Sequence, residues 1–421
     1  MRVLVVGSGG REHALAVALA VTAEVLAAPG NPGVALVGRN FDVSATDIAG
    51  LVALARREDV DLVVPGPEAP LVLGLADACL SAGIACAGPS AAAARLEGSK
   101  AFAREVAEAA GVAGPRWERF TDIVSATDFV RRRGAPIVVK ADGLASGKGV
   151  VVAGSVEEAE AALAGLMAGG GACVVEECLV GEEVSLFALC DGGDAMLLGA
   201  AQDHKRLGDA DTGPNTGGMG AVTPAWFGPA AQHEALRAVV LPVLAEMVRR
   251  GTPFRGVLFA GLMVTASGLR LIEFNVRLGD PEAQCLLPLL RSDLAAALLA
   301  CAEGRLREAP WVLADEASAA VVLAAPGYPE APQAGGAIGG LDQAEALPLV
   351  RIFQGGTAIG VDGTLTMSGG RVLTVQATGP DLAMARDAAY AAIARLDVPG
   401  ALYRRDIGTR TLALQVAAAL T

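Results

Sequence analysis

The chain is 421 residues long, 53% apolar and 4% aromatic, with a formal net charge of −13. That length allows about three domains, and an acidic, ring-poor surface excludes a nucleic-acid partner, whose phosphates it would repel. The seven cysteines (79, 86, 173, 178, 190, 285 and 301) include no C-x-x-C and sit mostly in apolar runs, so reduced, buried thiols are expected. The opening "MRVLVVGSGG" has no signal-peptide pattern, and the apolar run 294–302 falls far short of the ~20 residues that span a bilayer. A soluble cytoplasmic protein with no membrane partner is expected.

In chain order, "RVLVVG" predicts a buried strand that turns through Gly7, Gly9 and Gly10 into the helix "REHALAVALA". "EVLAAPGN" and "VDLVVPGPE" predict further strands around the helix "DIAGLVALARRED", and "PLVLGLADACLSAG" predicts a helix before the strand "IACAGPS". Repeated βα units imply a doubly wound parallel sheet, with ligands at the C-terminal ends of its strands. "EGSKAFAREVAEAAGV" predicts one helix. "PIVVKADG" and "GVVVAGS" predict a hairpin around "LASGK", and "SVEEAEAALAGLMAG" predicts a helix with Ser155 and Glu158 spaced as a capping box. "CVVEECLVG", "EEVSLFALCDG" and "AMLLGAAQDHK" predict strands, and "RGVLFAGLMVTASGLRLIEFN" predicts a hairpin turning at 266–268. The unpatterned 303–317 predicts a boundary, and the remainder a small α+β module.

Several clusters are chemically loaded. In "LIEFN", strand alternation projects Glu273 and Asn275 together and sends Ile272 and Phe274 to the core. A carboxylate beside an amide oxygen suits a hard divalent cation that takes its other ligands from water and phosphate. The alternative is a solvated strand end. Lys140 closes an apolar run, where an ammonium beside a low-dielectric wall attracts an anion strongly. Lys148 lies between Gly147 and Gly149, whose N–H groups approach phosphate unhindered. This is no P-loop, because the glycine and Ser/Thr positions do not match. "GSGGREHA" has Glu12 where a dinucleotide fingerprint needs its third glycine, which weakens a dehydrogenase reading; N–H groups of Gly9 and Gly10 could still hold one phosphate. "DHKRLGDADTGPNTGGMGA" reads either as a disordered surface loop or as a substrate loop that closes over charged ligands. The three histidines are far apart, and neither H-E-x-x-H nor G-x-S-x-G occurs, so hydrolase chemistry has little support.

Six motifs taken in order, "VLVVGSGGREHAL", "GPEAPL", "LEGSKAF", "PIVVKADGLASGKGV", "QDHKRLGDADTGPNTGGMGA" and "EFNVRLGDPE", resemble the phosphoribosylamine–glycine ligases of the ATP-grasp superfamily. The likeness continues through "SGGRVLTVQATG" and "YRRDIG" to about residue 410. It implies a Rossmann-like substrate domain over 1–100, an ATP-grasp domain over 101–302 with an ATP lid near 118–185, and a C-terminal α+β domain over 318–421. It also implies ATP held by Lys100, Lys140, Gly147, Lys148 and Gly149, an adenine edge over Glu176, Glu177 and Leu179, and the ribose on Glu183. Glu273 and Asn275 match the family's metal pair for Mg²⁺ or Mn²⁺. The same likeness puts phosphoribosylamine against Gly9, Gly10, Glu12 and Glu68. Glycine and the intermediate would be framed by Asp203, Lys205, Asn215, Thr216, Gly217, Gly218, Arg277 and Asp280, with Lys148, Arg277 and Asp203 catalytic. Glycine would be phosphorylated by ATP to glycyl phosphate and then attacked by the amine. A monomer or weak homodimer, monofunctional and of bacterial type, is expected. Another ATP-grasp carboxylate–amine ligase, or an ATP-binding regulator without turnover, are the alternatives.

Overall fold

The computed structural model describes residues 1–144 and 149–419. Strands β1 (Arg2–Gly7), β2 (Glu24–Pro29), β3 (Arg39–Asn40), β4 (Leu62–Pro65) and β5 (Ala85–Cys86) form a parallel sheet in the order β3-β2-β1-β4-β5. Val3 to Val6 are fully buried, as a strand covered on both faces requires, which explains the unbroken apolar run. The predicted helix over 70–83 is two short helices, Glu68–Val72 and Leu75–Ser81, because Gly74 adopts the left-handed conformation between them. The predicted helix over 97–112 is also broken. One helix, Ala91–Gly98, stops at Ser99, whose extended backbone and side-chain oxygen, accepting from Phe102 N at 3.2 Å, cap a second, Lys100–Ala109. The break puts Lys100 at the first turn of a helix that faces the cleft described below.

Strands β6 (Trp117–Phe120), β7 (Ile137–Ala141), β8 (Val150–Ala153) and β9 (Cys173–Glu177) make a separate antiparallel sheet in the order β6-β9-β7-β8. Helices Ile123–Arg133 and Val156–Leu166 cover it around Val139, Leu163 and Val175. Ser155 caps the second helix as predicted, accepting from Glu158 N at 3.2 Å, whereas the Glu158 carboxylate turns to the Gly154 amide.

A further set of strands is β10 (Glu182–Asp191), β11 (Ala195–Asp203), β14 (Gly220–Thr223), β15 (Arg255–Thr265), β16 (Gly268–Asn275), β17 (Ala317–Ala324), β18 (Val350–Gln354) and β21 (Arg371–Gly379). Together they form one eight-stranded sheet in the order β16-β15-β10-β11-β14-β17-β21-β18. β17 pairs along β14, so the C-terminal module continues the sheet of the central region. Two small hairpins, β12 (Arg206–Gly208) with β13 (Thr212–Asn215) and β19 (Thr357–Ile359) with β20 (Leu365–Met367), lie outside it. The glycine-rich stretch 203–221 is thus ordered, not a disordered loop. No helix among the described residues is long and apolar enough to cross a membrane.

Candidate active site

A cleft of about 720 Å³ lies between the four-stranded sheet, the β10/β11/β15/β16 half of the large sheet, and the ends of Glu68–Val72 and Lys100–Ala109. Its wall on the β16 side depends on a bulge. Gly261 pairs with Glu273 but Leu262 pairs with Leu271, so Ile272 is the extra residue of β16. The expectation that Ile272 points to the core fails for this reason: Ile272 lines the cleft. Its unpaired carbonyl accepts from Lys140 Nζ at 3.2 Å and from Arg104. Phe274 is buried, as alternation predicts.

Lys140 is 4% exposed, and its ammonium lies 2.7 Å from Glu176 Oε2. Arg104 grips the same carboxylate in a fork, Nε to Oε1 at 2.7 Å and Nη2 to Oε2 at 2.8 Å. Burial lowers the Lys140 pKa, and Glu176 opposes it. Burial would raise Glu176, but Lys140 and Arg104 hold it below the usual carboxylate range. The Glu176 side chain therefore orients two cations, and only its backbone is left for a nucleotide edge. Glu177 and Leu179 line the cleft beside it, as does Gly149. Gly147 and Lys148 lie outside the described residues.

Glu273 also projects into the cleft, with Lys100 Nζ 3.5 Å away. Against burial, which would raise it, Lys100, Lys205, Lys140 and Arg277 hold Glu273 far below the ordinary carboxylate pKa. Asn275 Oδ1 accepts from Arg277 Nη2 at 3.1 Å. An ionised carboxylate and an amide oxygen on one strand are the right donors for a small hard cation. Among the described residues no group of three or more His, Cys, Asp or Glu side chains is placed to hold a metal ion, so such a cation would share its shell with substrate phosphate and water.

Arg277 also reaches Glu97 at 2.9 Å and Glu68 at 3.4 Å. Lys205 is ion-paired with Glu183. Burial raises the Asp203 carboxyl well above its ordinary pKa, and the neighbouring Glu282 adds to it; burial raises Glu282 also. Asp280 is held low, against burial, by Arg371, whose Nη2 lies 3.2 Å from Asp280 Oδ2, and by Arg11. Gly218, at φ +112°, passes so close that a Cβ would sit 2.5 Å from Pro281 and 2.8 Å from Asp203. The backbone there must be glycine for these two loops to meet.

Residues 1–97, 98–283 and 318–410 match the N domain, the ATP-grasp (A) domain and the C domain of phosphoribosylglycinamide synthetase. The chain belongs to the phosphoribosylglycinamide synthetase family. Similar members include the phosphoribosylamine–glycine ligases of Brucella melitensis, 48% identical with 98% of both chains covered, and Streptomyces coelicolor, 48% identical over 97% of this chain and 99% of that one. The crystal structure of the Thermotoga maritima phosphoribosylamine–glycine ligase superposes with a TM-score of 0.84 at 33% identity, covering 97% of this chain and 100% of that one. The biotin carboxylase domain of Hydrogenobacter thermophilus 2-oxoglutarate carboxylase, solved with MgADP and bicarbonate, has a TM-score of 0.71 at 19% identity, covering 96% of this chain and 91% of that one. That last likeness is of fold alone.

Within this synthetase fold the cleft gathers Lys100, Lys140, Gly149, Glu176, Glu177, Leu179, Glu183, Glu68, Asp203, Lys205, Asn215, Thr216, Gly217, Arg277, Asp280, Glu273 and Asn275. The N-terminal turn differs from expectation. Gly9 N–H donates to Glu12 Oε2 at 2.5 Å, so that amide is not offered to a phosphate. Glu12 is 2% exposed and packed where a Cβ on Gly66 would come within 1.9 Å of its Oε1; it shapes the turn and does not line the cleft. Gly9, Gly10 and Gly218 are also not among the residues that line the cleft. Six charged residues of the lining carried no reading in the sequence: Arg11, Glu97, Arg104, Glu182, Arg371 and Arg410. Arg104 left a signal, since it is a charge three residues from both Ala101 and Ala107 on the buried stripe of its helix. Arg371 follows paired glycines and opens an apolar strand.

Proposed function

We infer that this chain joins glycine to 5-phosphoribosylamine with ATP, giving glycinamide ribonucleotide, ADP and phosphate in cytoplasmic purine biosynthesis. The reading is supported by one observation: Lys100 lies 3.5 Å from Glu273, and Lys100, Lys205, Lys140 and Arg277 together hold that carboxylate ionised, in a cleft of a chain that matches its relatives over 98% of their length. Three domains over 1–100, 101–302 and 318–421, and a monomer or weak homodimer, complete the proposal.

A carboxylate is a poor electrophile, so glycine must first be phosphorylated. Lys140, held by Glu176 beside an apolar wall, faces the nucleotide phosphates, with Lys148 assigned to the same task by family likeness. Glu273 and Asn275 would hold Mg²⁺ or Mn²⁺, which would draw negative charge from the transferring phosphoryl group. Arg277, fixed by Glu97 and Glu68, presents its guanidinium to the glycine carboxylate and the acyl phosphate. The amine nitrogen then attacks the acyl carbon and phosphate leaves. Asp203, which lines the cleft, would take the amine proton when ionised. No side-chain nucleophile is required: catalysis is alignment and charge neutralisation. Asn215, Thr216 and Gly217 border the glycine side, and Glu183 would release Lys205 to accept the ribose.

The test is ADP release with ATP and Mg²⁺, supplying glycine and freshly made phosphoribosylamine separately and together. Release that needs both, with an amide of the matching mass, is expected. Release with another carboxylate and amine only would overturn the purine assignment.

A further inference from the structure

The C-terminal motif "YRRDIG" lies far from the reacting groups in sequence, yet its segment lies along the stretch that follows Asp203. Thr411 Oγ1 donates to Gln202, and Gly408 N–H donates to His204 Nε2 at 3.2 Å. Arg404 is 2% exposed, the largest fully buried side chain described. Its Nη1 bonds Asp211 Oδ1 at 2.7 Å and the Arg206 carbonyl at 3.2 Å, while Nε and Nη2 fork onto Asp406, each at 2.8 Å. Asp406 Oδ2 accepts from Ala210 N at 2.8 Å, and Asp209 Oδ1 accepts from Arg405 N at 2.8 Å. Tyr390 fixes the segment from behind, donating to the Arg404 carbonyl at 2.8 Å.

The turn so gripped is one that its own residues disfavour. Ala210 and Asp211 both have φ +54°, a left-handed pair with no glycine. Such a turn persists only where its surroundings impose it, and here Arg404, Arg405 and Asp406 do so. Beyond the turn, β13 leads to Asn215, Thr216 and Gly217, whose other end is pinned by Arg371 through the Gly217 carbonyl at 2.6 Å.

We propose that Arg404 is a positioning residue for the ligation: through Asp211 and the Arg206 carbonyl it holds segment 203–218 in place over the glycine and amine side of the cleft. This rests on the reading that the segment frames those substrates. Arg404 itself does not line the cleft.

The experiment compares Arg404→Ala and Arg404→Lys with the parent in steady-state kinetics, varying ATP, glycine and phosphoribosylamine in turn. Expected for Arg404→Ala is a tenfold or greater rise in KM for glycine and amine, with KM for ATP within twofold. The lysine variant should recover part of the loss, because one ammonium can bond Asp211 or Asp406 but cannot fork across both. Hydrogen exchange should quicken at the Ala210 and Thr216 amides and stay unchanged in β6–β9. Unchanged kinetics, or an equal change for all three substrates, would overturn the proposal. Should Arg404→Ala fail to fold, Asp211→Asn at the exposed end of the contact serves instead, with the same selective rise expected and a uniform one refuting. Asp203→Asn separates the two readings. If it raises KM for glycine and Arg404→Ala does not, the clamp alone falls; if neither does, the placement of the segment over the substrates falls with it.

Discussion

Glu176→Gln should destabilise the protein by about 3–5 kcal/mol, the usual cost of removing one partner from a buried charge cluster. The carboxylate is 3% exposed and accepts three charge-assisted bonds, two from Arg104 and one from Lys140, themselves 5% and 4% exposed. Glutamine keeps the shape but turns an amide toward donors and leaves two cations facing one another. At roughly 2 °C per kcal/mol for a large chain, the melting temperature should fall by about 6–10 °C. Lys140→Met removes one cation and leaves the Arg104–Glu176 fork intact, so it should cost under about 2 kcal/mol, on the scale of one hydrogen bond to a charged group. The double variant should be more stable than the sum of the two losses by at least about 1 kcal/mol, because the repulsion that glutamine creates needs Lys140. Calorimetry on the four proteins measures each quantity. A Glu176→Gln protein within about 1 kcal/mol of the parent, or strict additivity, would refute the view that this carboxylate is the counter-charge of the phosphate-facing lysine.

Lys140→Met should lower kcat by roughly 10²–10³, the scale of one lost contact to transition-state charge; near-parental turnover would remove Lys140 from the active site. Glu273→Gln should abolish turnover, and excess EDTA should silence the parent; full activity in EDTA would remove the metal role from Glu273 and Asn275. His13 and His204 are buried and neutral, each lowered by burial to a pKa of about 4 from 6.5. Between those values the unfolded chain binds protons that the folded chain refuses, so stability is full above pH 6.5 and falls as pH drops toward 4, by about 3 kcal/mol per histidine. A flat melting temperature across that window would contradict it. Gly66→Ala should force Glu12 out of its niche and loosen the Gly9 turn, lowering the melting temperature; an unchanged melting temperature would show that Glu12 does not hold that turn.

The elements were largely legible because their signals are local. The apolar run of β1, the paired strands around Lys140, and the turn at 266–268 need only neighbours in sequence. Misreadings came where long-range pairing overrides a local rule. The bulge that turns Ile272 toward the cleft is set by β15, which strand alternation within β16 cannot reveal. Ser99 looked like a helix residue, but its hydroxyl also donates to Asp142 at 2.9 Å, a partner 43 positions away. Stretch 203–221 lacks apolar periodicity because arginines of the C-terminal module order it rather than a core of its own. Glu273 and Asn275 were readable from their spacing. Arg104, Glu97 and Arg371 act by holding other site residues, and such supports carry no spacing rule.

The pairing of β14 with β17 has a consequence for how much autonomy the two halves possess. β14 is only four residues long, lies between β11 and β17, and is buried throughout. A chain ending near residue 316 would leave that strand as an open margin of unpaired amides and carbonyls, beside a newly uncovered apolar face at Ala221 and Val222. Such a margin recruits strands from other molecules. The C-terminal module is therefore no removable appendage: its first strand seals the sheet that carries the catalytic wall, and solubility and catalysis are inherited together.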